Sequence, residues 1–193
     1  REITKNKKIL FCGMSCQIDG LYRFLGKKFD NLYTIDLIDH GVPSLNFFSD
    51  YVFFLQKKFK AKVVDFKFRK KVDGIIKYIE TVTFDSGKII NIQAKNSAYY
   101  YYFLNGETYR NSCYTCRFSS LNKPSDITIG DYFELEKDYP KIHELFLREN
   151  KDKFYSSCIV HTKKGDSILC ECSNYFLLHQ VEVEKIQKSH SQL

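Results

Sequence analysis

Three short stretches of this chain carry residue types and spacings suited to chemistry: Gly13-Met14-Ser15-Cys16-Gln17, Asp39-His40-Gly41-Val42-Pro43 and Ser112-Cys113-Tyr114-Thr115-Cys116. Cys16 falls where a helix is expected to begin, and unpaired backbone N–H groups with the helix dipole stabilise a thiolate there. Such a thiolate suits metal ligation or nucleophilic chemistry, although an isolated cysteine is more often a buried structural thiol. Cys113 and Cys116 form a CxxC loop, whose spacing lets two thiolates converge on one iron or zinc ion. The same spacing also serves a redox disulfide or two unrelated thiols. His40 adds an imidazole, and Cys16, Cys113, Cys116 and His40 together have the composition of a three-cysteine, one-histidine zinc site. The plainer role for His40 is a turn residue hydrogen-bonded to backbone.

The elements that must position these residues follow from apolar periodicity. Residues 8–12 read as a buried strand ending at the turn 13–15. Ser15 is placed to cap a helix carrying Ile18, Leu21, Tyr22 and Leu25 at helical spacing, stopped by Gly26. A second apolar strand over 32–38 then makes a right-handed βαβ unit, and hence a parallel start to the sheet, the default. The three reactive stretches sit at strand ends, where open α/β sheets place their ligands. Ser44 is expected to cap an aromatic-rich helix over 45–59. Strands at 63–68, 75–84 and 88–92, the last two joined by the turn Asp85-Ser86-Gly87, should be antiparallel. A short helix over 96–104, a loop over 105–126, strands at 127–131 and 154–161 and a helix over 166–178 complete the reading. That last helix has Ile168, Leu169, Cys172, Tyr175 and Phe176 on one face. Cys12, Cys158, Cys170 and Cys172 are expected to be packing thiols. The fold class is α/β: a mixed sheet with a parallel βαβ start and antiparallel hairpins, flanked by helices, in a single domain over residues 1–193.

Composition narrows the function classes. With 193 residues, 44% of them apolar and 16% aromatic, the chain can bury a substantial core. The net charge of +7 is spread along the chain and suits anionic ligands such as a dinucleotide's phosphates. Nucleic acid is disfavoured by the lack of zinc-finger spacing, an aromatic RNA-binding signature or a helix-turn-helix. Seven cysteines without an apolar leader point to a reducing, cytoplasmic setting, and no apolar run is long enough to span a membrane.

Five motifs, in order, carry a resemblance. They are Gly13-Met14-Ser15-Cys16-Gln17, then Leu37-Ile38-Asp39-His40-Gly41-Val42-Pro43-Ser44, then Phe68-Arg69, then Cys113-Tyr114-Thr115-Cys116-Arg117-Phe118, and finally Ser125-Asp126-Ile127-Thr128-Ile129-Gly130-Asp131. In this order they resemble the GTPCQ, LICHGVPS, FR, CxxCKF and SDITLGD stretches of the coenzyme F420 hydrogenase/dehydrogenase beta-subunit family, over nearly the whole chain. The resemblance implies a four-iron, four-sulfur cluster beside FAD, with Cys16, Cys113 and Cys116 as ligands. The fourth family cysteine is replaced by Asp39. A carboxylate is a harder donor than thiolate, so the cluster would be more labile, shifted in potential, or absent. His40 is the alternative fourth ligand, and zinc the alternative metal.

The resemblance further implies that Gly13, Ser15, Gln17, Gly41, Arg69, Lys123, Asp126, Gly130 and Asp131 lie near the flavin. The helix start and Arg69 would meet its pyrophosphate, and Gly41 and Gly130 would allow close backbone approach. On this reading the chain is an oxidoreductase domain passing electrons between the cluster, FAD and a small organic or deazaflavin substrate. Its partners would be a ferredoxin-like module or an electron-donor protein, and the chain would be a fragment of a longer protein carrying that module at its N-terminus. The competing class is a non-catalytic binding module with structural zinc or no metal.

Overall fold

The computed structural model describes residues 7–73, 75–149 and 155–190. In chain order its strands and helices are β1 (Ile9–Met14), α1 (Ser15–Leu25), β2 (Leu32–Leu37), α2 (Leu45–Phe59), β3 (Val63–Lys67), β4 (Lys70–Val72), β5 (Ile75–Lys77), β6 (Ile79–Phe84), β7 (Ile89–Gln93), α3 (Ala98–Leu104), α4 (Asn111–Tyr114), β8 (Ile127–Asp131), α5 (Leu135–Asp138), α6 (Pro140–Glu149), β9 (Ser156–Val160), α7 (Lys163–Glu171) and α8 (Val183–Ser189). The class is mixed α/β, as the periodicity predicts. The expected single domain is built as two compact units, because the chain leaves the first at Asp39 and returns to it at Arg117.

The first unit holds a four-stranded sheet in the order β1-β2-β8-β9. Strands β1, β2 and β8 are parallel, with Asp36 opposite both Gly13 and Thr128, and β9 closes the far side antiparallel to β8. Helix α1 begins at Ser15 directly after β1 and stops where Gly26 takes a left-handed conformation at φ 70°, the conformation glycine adopts without strain.

The core face of β2 is unusual. Leu32, Thr34 and Asp36 are the buried residues, while Tyr33, Ile35 and Leu37 point to the other face. An apolar strand is what residues 32–38 suggest, yet two of the three side chains turned inward are polar. Ile18 and Leu32 provide apolar packing in this unit. On the opposite face, an apolar groove of about 600 Å³ runs over Leu10, Ile35, Ile129 and Cys158 to Leu169 and Phe176. Cys12 shares that side of β1, an edge strand, and is exposed, so the packing role expected for it does not hold. Cys170 is likewise exposed on α7, while Cys158 is partly covered and burial pushes its thiol pKa up.

The second unit, His40–Cys116, holds the antiparallel sheet β3-β6-β7 and the separate hairpin β4-β5. The turn at 85–87 forms as expected, with Gly87 at φ 79°. The predicted strand over 75–84 is two strands, β5 and β6, each paired in a different sheet. Alternation along β6 turns Glu80, Val82 and Phe84 inward against Tyr51, Leu55 and Tyr99. The aromatic face of α2 is therefore core, as its spacing predicts.

Helix α7, in the first unit, starts earlier than 166, because Thr162 accepts the Gly165 N–H at 3.0 Å and caps it. It ends at Glu171 and not 178, so Tyr175 falls in a separate helical turn and Phe176 in extended chain. The start of the expected 154–161 strand lies outside the described residues, and β9 covers the remainder. Helices α5, α6 and α8 carry no expectation from the sequence.

Candidate functional site

In the first unit, three parallel strands end on one edge. Met14 closes β1, Leu37 closes β2 opposite it, and Ile129 pairs with Leu37. The Ile38 N–H continues the ladder to Ile129 O at 2.9 Å, so Asp39 emerges beside Gly130 and Asp131. Gly13, Ser15, Cys16, Gln17, Asp39, Gly130 and Asp131 thus gather at the carboxyl edge of the parallel strands, where ligands of such sheets bind. Cys16 is exposed in the first turn of α1, and that turn carries no acidic residue, which suits an anion or a thiolate-held metal.

Each residue at this edge has a defined local role. Gln17 folds back so that its Oε1 accepts the Met14 N–H at 2.8 Å, capping α1. A β-carbon on Gly13 would meet that Oε1 at 2.9 Å and the Phe11 ring at 3.1 Å, so glycine lets the strand run straight into the helix. Ser15 is the first helical residue and not the cap expected of it. Its hydroxyl turns inward to donate to Asp36. Gly130 leaves room for the Ile38 side chain, whose tip a β-carbon there would overlap. The Asp131 carbonyl accepts from His190 Nε2 at 2.6 Å.

Asp126 and Lys123 lie before the opposite end of β8. The buried Asp126 carboxylate accepts the Thr34 N–H at 2.9 Å, the Thr34 hydroxyl at 3.0 Å and the Thr162 hydroxyl at 2.7 Å, with Lys164 Nζ at 3.4 Å. Lys123 donates to Phe118 O at 2.6 Å. Both side chains are bound to the protein's own groups at these contacts.

In the second unit, two motifs far apart in sequence are tied together. Pro43 bridges Tyr109, with Ser44 N–H donating to Thr108 O and Arg110 N–H to Val42 O, both at 2.8 Å. The 40–44 stretch therefore lies beside the segment that leads into Cys113 and Cys116. Gly41, at φ 92°, faces the Tyr109 ring, 3.3 Å from where a β-carbon would stand, so both backbone angle and space demand glycine. His40 packs edge-on against Phe103 and Tyr109, and its Nε2–H donates to Leu104 O at 3.0 Å. Cys113 and Cys116 are partly exposed. Arg69 is exposed and lies over the Tyr78 ring at 4.7 Å. None of the seven cysteines is in a disulfide. Among the described residues, no group of three or more histidine, cysteine, aspartate or glutamate side chains stands close enough to hold a metal ion. No helix among them is long and apolar enough to cross a membrane.

Sequence reasoning missed the polar network inside the first unit: the buried Thr34, Asp36, Ser125 and Thr128, with the partly buried His161, Thr162 and Lys164. The available signal was Thr34 and Asp36 at alternate positions of an otherwise apolar strand, which puts both on one face.

The first unit is a mixed α/β sheet whose reactive residues lie at the carboxyl edge of a βαβ unit, the edge where open α/β sheets take their ligands. The family model for the C terminus of the coenzyme F420 hydrogenase/dehydrogenase beta subunit matches residues 6–186, and the chain belongs to this family. It is thus a redox domain of the beta-subunit type. Compared directly with curated proteins, the chain has no significant match.

Proposed function

We propose that this chain is a flavin- and iron–sulfur-dependent oxidoreductase domain that passes electrons between a four-iron, four-sulfur cluster, FAD and a small organic or deazaflavin substrate. The observation that carries the reading is the gathering of Gly13, Ser15, Cys16, Asp39, Gly130 and Asp131 at one parallel edge, in a chain matched along its length by a redox family. Cys16, Cys113 and Cys116 would hold the cluster, with Asp39 as the fourth donor. The donor set fits such a group in kind: three thiols, each at least partly exposed, and a carboxylate. Within the first unit, Arg117 is ion-paired with Asp19, three residues beyond Cys16 on α1.

FAD, when bound, would supply the hydride chemistry. The role of this chain is to hold and orient it. The first turn of α1 and the Gly13 backbone would meet the pyrophosphate, and Gly130 and Asp131 would border it. Gln17, Gly41 and Arg69 belong to the same proposed set. An electron-donor protein or ferredoxin-like module would supply or remove electrons.

A zinc site of Cys16, Cys113, Cys116 and His40 is the second reading, favoured by one contact. His40 Nε2–H donates to Leu104 O, and ligating histidines commonly donate one ring N–H to a carbonyl in this way. Purification without oxygen, followed by iron, acid-labile sulfide, zinc and flavin analysis, separates the two. Iron with matching sulfide and FAD uptake supports the redox domain, whereas zinc without flavin uptake rejects it.

A further inference from the structure

Four polar side chains form one continuous hydrogen-bonded chain through the core of the first unit. It begins at His161, directly after β9, whose Nε2 lies 2.8 Å from Thr128 Oγ1. The Thr128 hydroxyl is directed at Asp36 Oδ1, and the Ser15 hydroxyl at Asp36 Oδ2. Ser125 adds a third hydroxyl to the same carboxylate at 2.8 Å. Asp36 and Thr128 are fully buried, and Ser15 and Ser125 nearly so.

The direction of each bond follows from counting protons. A hydroxyl has one proton to give, and Thr128 gives its proton to Asp36. Its contact with His161 is therefore an N–H donation from the ring, which assigns the proton to Nε2. Asp36 accepts at every bond, and the last donor, Ser15, is the first residue of α1. A histidine that follows the far edge strand β9 is thereby connected to the turn that shapes the candidate site.

We propose that His161 is a positioning residue for the first turn of α1, acting through Thr128, Asp36 and Ser15, so that the geometry of that turn answers to the charge on the imidazole. Charging the ring strengthens its donation to Thr128 and draws the negative charge of Asp36 toward that side, weakening the hold on Ser15. The charged neighbours come from each element packed around the ring. Asp36 lies on β2, Asp126 and Lys123 precede β8, and Lys164 on α7 is paired with Asp126. Burial is the largest influence on His161 and lowers its pKa, with Lys123 acting the same way and the two aspartates opposing. The ring is accordingly neutral at pH 7 and charges on acidification.

The inference rests on the reading of this edge as the ligand site, but its test needs no ligand, so its failure is distinct from failure of cofactor loading. Isotope-labelled protein is titrated from about pH 8 to about pH 5, following the His161 ring nitrogens and the backbone amides of Ser15, Cys16 and Gln17. The ring should begin as the Nε2–H tautomer, and the three amides should shift with the same midpoint as the ring. In Thr128→Val, which keeps the shape but removes the hydroxyl, and in His161→Gln, which keeps an N–H donor but does not titrate, the shared inflection should vanish while the spectrum stays dispersed. Should Thr128→Val fail to fold, His161→Gln alone decides. Amides that hold still while His161 titrates, an inflection that survives in a folded variant, or an Nδ1–H ring would each overturn the proposal.

Discussion

The Tyr51 hydroxyl donates to the fully buried carboxyl group of Glu80 at 2.8 Å, joining α2 to β6 across the core of the second unit. Ser97 closes the other oxygen at 2.6 Å and also caps α3 through the Tyr100 N–H, so one acid organises three elements. Burial pushes the Glu80 pKa up, against the smaller opposing effect of its Ser97 and Tyr51 bonds.

Because the folded pKa is raised, stability from the protonated acid is fully present below the unfolded value and is lost as pH climbs toward the folded one. Glu80→Gln, which is neutral at every pH, should therefore be more stable than the parent at pH 8 by on the order of 1 kcal/mol. The advantage should disappear near pH 4, about the ordinary glutamate value. Urea unfolding at the two pH values measures the difference, and equal gains at both would refute the assignment.

Asp36→Ala should be among the most damaging single changes. Removing the carboxylate leaves the hydroxyls of Ser15, Ser125 and Thr128 without their shared acceptor in the core. The expected loss is about 3 kcal/mol or more, since each buried donor left unsatisfied costs about 1–3 kcal/mol. Chemical denaturation reads it directly.

Gly165→Ala tests how closely α7 approaches β8. A β-carbon there would overlap the backbone carbonyl of Asp126, which also accepts the His161 backbone N–H at 2.9 Å. Backbone cannot swing aside as a side chain can, so the variant should lose about 1–3 kcal/mol or more. Gly20→Ala has open space and should be harmless or mildly stabilising, as expected for alanine within a helix. A thermal melt of both variants gives the comparison.

Cys113→Ser, loaded with iron and sulfide without oxygen, should lose most of its iron and any brown colour while its circular dichroism spectrum stays unchanged. The residue is partly exposed on a short helix and contributes little to packing. Unchanged iron content would remove the CxxC pair from the ligand set.

Much of the candidate site was legible before any coordinates. Residues 13–17, 37–44, 68–69, 113–118 and 125–131 stand out because reactive or flexible residues interrupt strong apolar periodicity, and interruption is visible locally. Gly13, Gly41 and Gly130 each prove to sit against another side chain, and for Gly13 and Gly130 a glycine at a strand end suggests as much. The roles of Ser15 and Gln17 were not legible. Ser15 looks like a cap, but its partner is Asp36, twenty-one residues away, and Gln17 does the capping.

The order of apolar and polar residues by itself determined the βαβ start, the hairpin at 85–87 and the aromatic core face of α2, because each depends on neighbours within a few positions. Tertiary structure alone decided that β8 joins β2 in parallel, that Thr34 and Asp36 face inward, and that His161 reaches Ser15 through Thr128 and Asp36. Those outcomes depend on which distant strand lies alongside, and a hydrogen bond between residues 33 or 92 positions apart leaves no periodic trace along the chain.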